Sequence, residues 1–380
     1  MDTDPTVGPE EDLTLRTRSG YPVADAVRGF KVALETSGAE AAGKSLHYTA
    51  DLICSGCFQL WQKLLWDYAL DHVGIASPRL FWFLRQRFTA LDTAWAKVPS
   101  EAFYRNNEYQ KAIAECLLVT RSQQRRPALK MPRVAPESHN EEWIKASFSA
   151  PPSAVVGRVF RGSHDLQILR RVGDEFAKAI ADGSTEKALW WLKWCYEEDA
   201  RLKRDGGGSL STMDRGPSTC PGKQRSHVSF YLAAILVELY KDLAPKTGLR
   251  MQEEIQAILQ LFSYPDKRLS AKRRMDLLCL ALQILCEAPR WKSPAAPALV
   301  KEPVALERAI AHAESFFREV LAYDAPAGDV AKEAKKGASK SITAGGPQKK
   351  LSAKQLKQMS VEEHLNAYDT MINSYFGLEA

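Results

Sequence analysis

Two stretches of the sequence decide the fold: residues 230–243, FYLAAILVELYKDL, and residues 275–286, MDLLCLALQILC. Drawn as helices, both are apolar on nearly every side, which is typical of the central helices of a bundle. The longest unbroken apolar run, 230–237, is far shorter than the roughly 20 residues that cross a bilayer. The sequence therefore predicts buried bundle helices and no membrane span.

Elsewhere, apolar side chains recur mostly at the spacing of one helix face. Ser77-Pro78 is a typical helix start, with a capping serine before a proline in the first turn. The stripe behind it consists of Leu80, Leu84, Phe88, Leu91 and Trp95. Only residues 154–160 resemble a β-strand, and they stand nearly alone. We therefore predict an all-α protein, a multi-helix bundle in two helical blocks.

Composition divides the chain into six segments. We predict a disordered N-terminus at 1–20, an N-terminal helical block at 21–120, a Pro-rich basic connector at 121–162, the main helical bundle at 163–323, a disordered Lys-rich linker at 324–351, and a short C-terminal amphipathic helix at 352–377. The linker is aperiodic and rich in Ala, Gly, Lys and Ser, so it cannot bury enough apolar surface to fold. A capping box at Ser360 and Glu363 starts the last helix.

The seven cysteines indicate a reducing compartment. Their number is odd, the chain is long, and most of them lie in apolar helical patterns, as buried free thiols do. Residues 1–12 are acidic and polar and contain no apolar core of a signal peptide. We therefore expect an intracellular protein, in the cytoplasm or the nucleus.

No complete metal or catalytic motif is found in the sequence. Cys54-Ser-Gly-Cys57 has metal-ligand spacing, but a structural zinc site needs four ligands and no second pair with this spacing occurs. The seven histidines are scattered, and neither H-E-x-x-H nor G-x-S-x-G is present. We therefore predict no metal, no cofactor and no catalytic residue, and we favour a protein that is not an enzyme.

The formal charge of +6 is concentrated in three acid-free stretches, 116–136, 267–274 and 334–361. Such runs attract phosphate backbones or acidic protein surfaces, and a solvated face is the alternative interpretation. The predicted contacts are independent of base sequence, because lysine and arginine would hold phosphates rather than bases. The predicted nucleic-acid-binding residues are Arg121, Arg125, Arg126, Lys130, Arg133, Lys267, Arg268, Lys272, Arg273, Arg274, Lys335, Lys336, Lys349 and Lys350.

One nucleotide-binding motif is complete. Gly38-Ala-Glu-Ala-Ala-Gly43-Lys44-Ser45 fits the P-loop pattern, in which backbone N–H groups, the lysine and the serine hold phosphates and Mg²⁺. A P-loop also needs a buried strand before it, whereas residues 30–35 carry a helical stripe. The Ala-Glu-Ala-Ala stretch favours a helix too. Nucleotide binding by Gly38, Gly43, Lys44 and Ser45 is therefore the alternative, and a coincidental match at a helix–helix junction is favoured.

Two aromatic-rich elements have more than one interpretation. Trp190, Trp191, Trp194 and Tyr196 crowd one helix, either as core or as a platform for bases, and core packing is favoured because cysteine and leucine continue the face. The C-terminal helix could dock into a groove of a protein partner or back onto its own domain. Its predicted partner-binding residues are Leu365, Tyr368, Ile372 and Tyr375.

Residues 104–115, YRNNEYQKAIAE, and 186–198, EKALWWLKWCYEE, resemble segments of helical proteins of unassigned function encoded by large DNA viruses of algae and protists. The second segment is also similar to the helical collar of clamp-loader-type ATPases. The resemblance implies a viral setting, associated with replication or with the virion, and a location in a viral factory or virion.

Three functional hypotheses follow. The first is a non-enzymatic helical interaction or scaffold protein that associates with nucleic acid through its basic stretches. The second is a P-loop NTPase that uses the motif at residues 38–45. The third is a structural virion protein without nucleic-acid contact, in which the C-terminal helix engages a neighbouring protein.

Overall fold

The computed structural model describes residues 16–218, 225–263 and 271–323. Within these ranges the chain forms helices and no strand, and its only β-type pairings are two isolated bridges, Arg16 with Pro22 and Arg250 with Ala295. The predicted all-α fold is therefore confirmed for this part of the chain. The predicted linker, 324–351, and the predicted C-terminal helix, 352–377, lie outside the described residues.

The described α-helices are numbered here in chain order. They are α1 Val23–Glu35, α2 Ala39–Cys54, α3 Phe58–Tyr68, α4 Arg79–Lys97, α5 Ser100–Tyr104, α6 Asn107–Ser122, α7 Glu141–Ala146, α8 Ala154–Val159, α9 Gln167–Ala181, α10 Thr185–Arg204, α11 Val228–Thr247, α12 Gln252–Ser263, α13 Ala271–Glu287, α14 Pro303–Ala311 and α15 Ala313–Leu321. None of them is long and apolar enough to span a lipid bilayer.

The helices form two compact units, and each unit is discontinuous in sequence. Of the described residues, the first unit contains 16–64, 90–121 and 302–323, and the second unit contains 65–89 and 122–301. The sequence patterns predict continuous blocks at 21–120 and 163–323. In the structure, α14 and α15 belong to the first unit although they are the last of the described helices.

The first unit is organised around α2, which packs against both α1 and α15. Phe30 of α1 and Phe317 of α15 are buried. An aromatic cluster centres on Phe58, whose ring centroid lies 5.1 Å from that of Trp95 and 5.5 Å from that of Phe103. Phe58 and Phe103 are fully buried, and burial of each contributes roughly 1.5–3 kcal/mol.

The second unit is organised around α13, which contacts α9, α10, α11 and α12. Residues 277–282 and 284–286 are all buried, so the prediction of a central helix is confirmed for this stretch. The other apolar stretch, on α11, contacts α8, α9 and α10 but leaves Val237 exposed. Helix α11 therefore covers one side of the core of the second unit.

The β-like interpretation of residues 154–160 is wrong, because residues 154–159 form α8 and Phe160 follows its end. Val155, Val156 and Val159 are buried on one face of this helix, which packs against α9 and α11. Its first turn is held by Asp174 of α9, whose Oδ1 accepts a hydrogen bond from the Ser153 amide at 2.8 Å. Tertiary packing here outweighs the preference of valine for strands.

Candidate nucleic-acid interface

The segment 122–135 follows α6 and crosses the second unit without regular secondary structure after Ser122. Its prolines, at 127 and 132, remove backbone donors and disfavour helix at the preceding residues. It is nevertheless anchored. Three hydrogen bonds fix it: Gln123 Nε2 donates to the Leu299 carbonyl at 2.9 Å, the Arg126 amide donates to the His72 carbonyl at 2.6 Å, and Lys193 Nζ donates to the Pro132 carbonyl at 2.9 Å.

Four basic side chains of this segment are exposed: Arg125, Arg126, Lys130 and Arg133. No acidic residue occurs between positions 122 and 135. Arg126 has one acidic neighbour from another element, since its Nη1 lies 3.7 Å from Glu287 Oε2. The anchored segment therefore presents four exposed cations, and cations of this kind attract phosphate groups.

An open cleft of about 310 Å³ lies beside this segment, within the second unit. The buried side chains of Ile75 and Ala296 contribute apolar surface to it, and the half-buried ring of Trp291 forms part of its wall. Three polar side chains also line it, those of Gln124, Arg126 and Ser293. The cleft therefore combines apolar surface with polar side chains that can form hydrogen bonds.

The segment that carries Trp291 is positioned by Arg250, which lies two residues after Gly248, the glycine that ends α11. The Arg250 amide donates to the Pro294 carbonyl at 2.8 Å. Gly248 ends α11 in the left-handed conformation, at φ 70°, which residues with a β-carbon adopt rarely. Trp291 was not among the predicted site residues, because residues 288–300 contain no periodic pattern from which its position could be inferred.

Arg273 was a predicted phosphate contact, and in the structure it is surrounded by carboxylates. Its Nε lies 2.9 Å from Asp67 Oδ1, its Nη1 and Nη2 lie 2.6 and 2.7 Å from the two oxygens of Asp71, and its Nη1 lies 3.2 Å from Asp276 Oδ2. Burial disfavours its charged form, but the three carboxylates outweigh burial and raise the pKa of Arg273. Its donors therefore face protein carboxylates rather than solvent.

Arg121 is also engaged within the protein. Its guanidinium donates to the carbonyls of Ala33, Thr36 and Gly38, at 2.6 Å for Thr36 and 3.1 Å for Gly38. These carbonyls lie at the C-terminus of α1 and in the turn before α2, where a cation offsets the partial negative charge of the helix end. Arg121 thus holds this turn in place.

The other predicted basic contacts fall in different places. Arg274 is half-buried on α13. The side chain of Lys272 lies outside the described residues, and so do six complete residues: Lys267, Arg268, Lys335, Lys336, Lys349 and Lys350. The predicted partner-binding residues, Leu365, Tyr368, Ile372 and Tyr375, lie outside them as well. Among the described residues, the candidate interface is therefore reduced to the exposed cations of 125–133, with the cleft beside them.

The P-loop match does not form a phosphate-binding loop in this structure. Gly38 precedes α2 with φ 102°, and Ala39 to Ser45 are helical. Lys44 Nζ lies 2.7 Å from Glu40 Oε1 on the exposed face of the helix, while Ser45 is buried and its hydroxyl donates to the Ala42 carbonyl at 2.8 Å. Lysine and serine thus point to different sides, whereas a P-loop brings both to one phosphate.

We expect no measurable ATP binding at this motif. Wild-type protein and Lys44→Ala should give the same flat titration with fluorescently labelled ATP and Mg²⁺, because Lys44 is paired with Glu40 and lies on a different side of α2 from Ser45. The reverse result, saturable binding by wild type that Lys44→Ala abolishes, would show that residues 38–45 refold around phosphate.

Two acidic residues of α10 form pairs that the sequence did not predict. Glu198 Oε2 lies 2.7 Å from His139 Nδ1, and Asp199 Oδ2 lies 3.2 Å from His227 Nε2. Both carboxylates are buried, with 7% and 3% of their surface exposed. Burial raises the pKa of Glu198, but hydrogen bonds from Arg201 and His139 outweigh it and lower the pKa overall. We interpret these pairs as structural, since protein donors surround both carboxylates.

The aromatic residues of α10 mostly pack inside the second unit. Trp191 and Trp194 are buried, and Trp194 Nε1 donates to the Ser138 carbonyl at 3.0 Å. Trp190 is half-buried, and its ring centroid lies 6.2 Å from that of Trp143. The placement of Trp191 and Trp194 is that of core residues.

The Cys54–Cys57 pair lies at the end of α2 as two free thiols. Burial raises the pKa of both thiols to about 12, which keeps them protonated at neutral pH. Within the described ranges, no group of three or more His, Cys, Asp or Glu side chains is arranged to hold a metal ion.

The comparisons with known proteins give no relative. No protein-family model, no curated protein and no solved structure matches the chain.

Proposed function

We propose that this protein is a non-enzymatic helical nucleic-acid-binding protein that holds the phosphate backbone along residues 125–133. The observation that supports this most directly is the row of exposed cations on an anchored, acid-free segment. Fixing the backbone in advance reduces the entropy lost on binding. Contacts of this kind position a nucleic acid without reading its sequence.

The wider setting belongs to the same proposal. It includes a scaffold role, in which Leu365, Tyr368, Ile372 and Tyr375 bind a protein partner. The resemblance of residues 104–115 and 186–198 to viral helical proteins supports a function in viral replication or in the virion.

The proposal predicts a steep dependence of affinity on salt. The triple variant Arg125→Ala/Lys130→Ala/Arg133→Ala should bind labelled duplex DNA about tenfold or more weakly than wild type at low salt. Its plot of log affinity against log salt concentration should be shallower by up to about 2.7, because each lost phosphate contact removes about 0.9. Fluorescence anisotropy of a labelled 20-base-pair duplex, titrated between low and high salt, measures both quantities.

The matched control removes three lysines elsewhere. Lys111→Ala/Lys145→Ala/Lys178→Ala changes the net charge by the same amount, and each of these exposed lysines forms an ion pair on a helix surface. This control should keep most of the affinity and the slope. Equal losses in the two triple variants would show that only net charge matters, and binding that is insensitive to salt would rule out phosphate contacts.

A further inference from the structure

One of the residues that line the cleft, Trp291, is aromatic. Trp291 is half-buried beside the apolar surface of Ile75 and Ala296. Among the described residues no other aromatic ring packs against it, unlike Trp191 and Trp194, whose centroids lie 6.1 Å apart. A flat, apolar ligand group can therefore stack on this ring.

The polar side chains of the cleft suit a group with both donors and acceptors on its edge. Gln124 carries an amide and Ser293 a hydroxyl, and each of these groups can donate and accept hydrogen bonds. The cleft volume of about 310 Å³ is at the lower end of the range for small-ligand sites. A planar heterocycle with polar edges fits these features better than an extended peptide does.

The position of the cleft connects it with the phosphate-binding edge. Gln124 and Arg126 line the cleft, and Arg125 lies between them in sequence and is exposed. Lys292, the neighbour of Trp291, is exposed as well. A strand whose phosphates follow residues 125–133 therefore passes beside the cleft that Trp291 lines.

We propose that the Trp291 cleft takes one unpaired base of a single-stranded nucleic acid, with the base stacked on the indole ring and its edge bonded by Gln124 and Ser293. This inference rests on the proposed function. It adds a preference for single strands, because the bases of a duplex are paired and stacked on one another and cannot enter the cleft.

The experiment compares single-stranded and duplex DNA of equal length by fluorescence anisotropy. Trp291→Ala should weaken binding to a labelled dT15 strand about tenfold, since loss of one stacked base is an effect of this size. Binding to a 15-base-pair duplex should change less than about twofold. Trp291→Phe keeps a ring and should recover most of the single-strand affinity.

The matched control is Trp82→Ala. Trp82 is 37% exposed, lies on α4 and lines no part of the cleft. Its replacement should leave both affinities unchanged. Gln124→Ala changes an exposed side chain and should weaken single-strand binding by a smaller factor, so it keeps the test valid if Trp291→Ala does not fold.

The possible failures are distinguishable. If wild type binds neither DNA, the proposed function fails and this inference fails with it. If wild type binds both DNAs and the Trp291 and Gln124 variants bind dT15 as tightly as wild type, only the base-binding inference is overturned. Binding of poly-glutamate that depends on Trp291, with dT15 binding unchanged, would assign the cleft to an acidic peptide and overturn it as well.

Discussion

Replacing Arg273 with methionine should lower the stability of the second unit by about 2–4 kcal/mol. Methionine retains apolar volume but leaves the carboxylates of Asp67, Asp71 and Asp276 facing one another without their shared cation. Removing one partner of a buried ion pair costs about 3–5 kcal/mol, and the partial exposure of this cluster reduces the expected value. Thermal unfolding followed by circular dichroism at pH 7 measures the loss.

Two further measurements separate this role from phosphate binding. The adjacent variant Arg274→Met removes the same charge from α13 and should destabilise the protein much less. In Arg273→Met, the salt dependence of DNA affinity should match that of wild type, because Arg273 is engaged by carboxylates. A stable variant with a shallower salt dependence would restore Arg273 as a phosphate contact.

Replacing Asp199 should cause the second large loss of stability, and the size of this loss depends on pH. Its Oδ1 accepts from the Leu210 amide at 2.9 Å, and its Oδ2 lies 2.5 Å from Lys203 Nζ and 3.2 Å from His227 Nε2. Burial raises the pKa of Asp199, but the hydrogen bonds from His227 and Lys203 outweigh it and lower the pKa to about 2. The folded protein therefore holds this carboxylate ionised more strongly than the unfolded chain does.

The sign of the pH dependence follows from this lowered pKa. The ionised carboxylate stabilises the fold above the unfolded pKa, near 4, and this contribution of about 2 kcal/mol is lost as pH falls from about 4 to 2. Asp199→Asn should therefore be less stable than wild type by about this amount at pH 7, and the difference should nearly vanish by pH 2. Chemical unfolding at several pH values measures it.

Glu197→Gln is the matched control for Asp199. Glu197 is the half-exposed acid two positions earlier on α10, with Lys193 Nζ at 3.5 Å. Exposed pairs of this kind contribute about 0–1 kcal/mol, so this variant should stay close to wild type at every pH. A difference for Asp199→Asn that persists at pH 2 would show that the carboxylate acts through packing and not through its charge.

The fold class could be predicted because it depends on local periodicity. The apolar run at 275–286 identifies a central helix wherever that helix packs. By contrast, α8 was misjudged, since its valines favour a strand and only contact with α9 and α11 makes them helical. No local pattern in the sequence indicates that α14 and α15 belong to the first unit. The buried stripe of Ala313, Phe317 and Val320 does not specify which helix it packs against.

The candidate interface could also be predicted only in part, because some of its features depend on residues that are distant in sequence. The basic character of 121–133 is visible in the sequence, but the sequence cannot show that Arg121 and Arg273 are engaged within the protein. The acids that surround Arg273 include Asp67 and Asp71, about 200 positions away, and the carbonyls that hold Arg121 belong to the α1–α2 turn. Trp291 becomes recognisable as part of a cleft only when 75–76, 124–126 and 291–297 come together.

The pairing of α15 with α2 has a consequence during synthesis on the ribosome. Residues 55–312 separate the two helices, so α2 leaves the exit tunnel long before α15, which packs against it, has been translated. At a translation rate of about 5–20 residues per second, the apolar face of α2 remains without α15 for roughly 10–50 s. The described part of the second unit ends at residue 301, so it can fold within that interval. Nascent chains that stall before residue 313 should therefore be strong clients for holding chaperones.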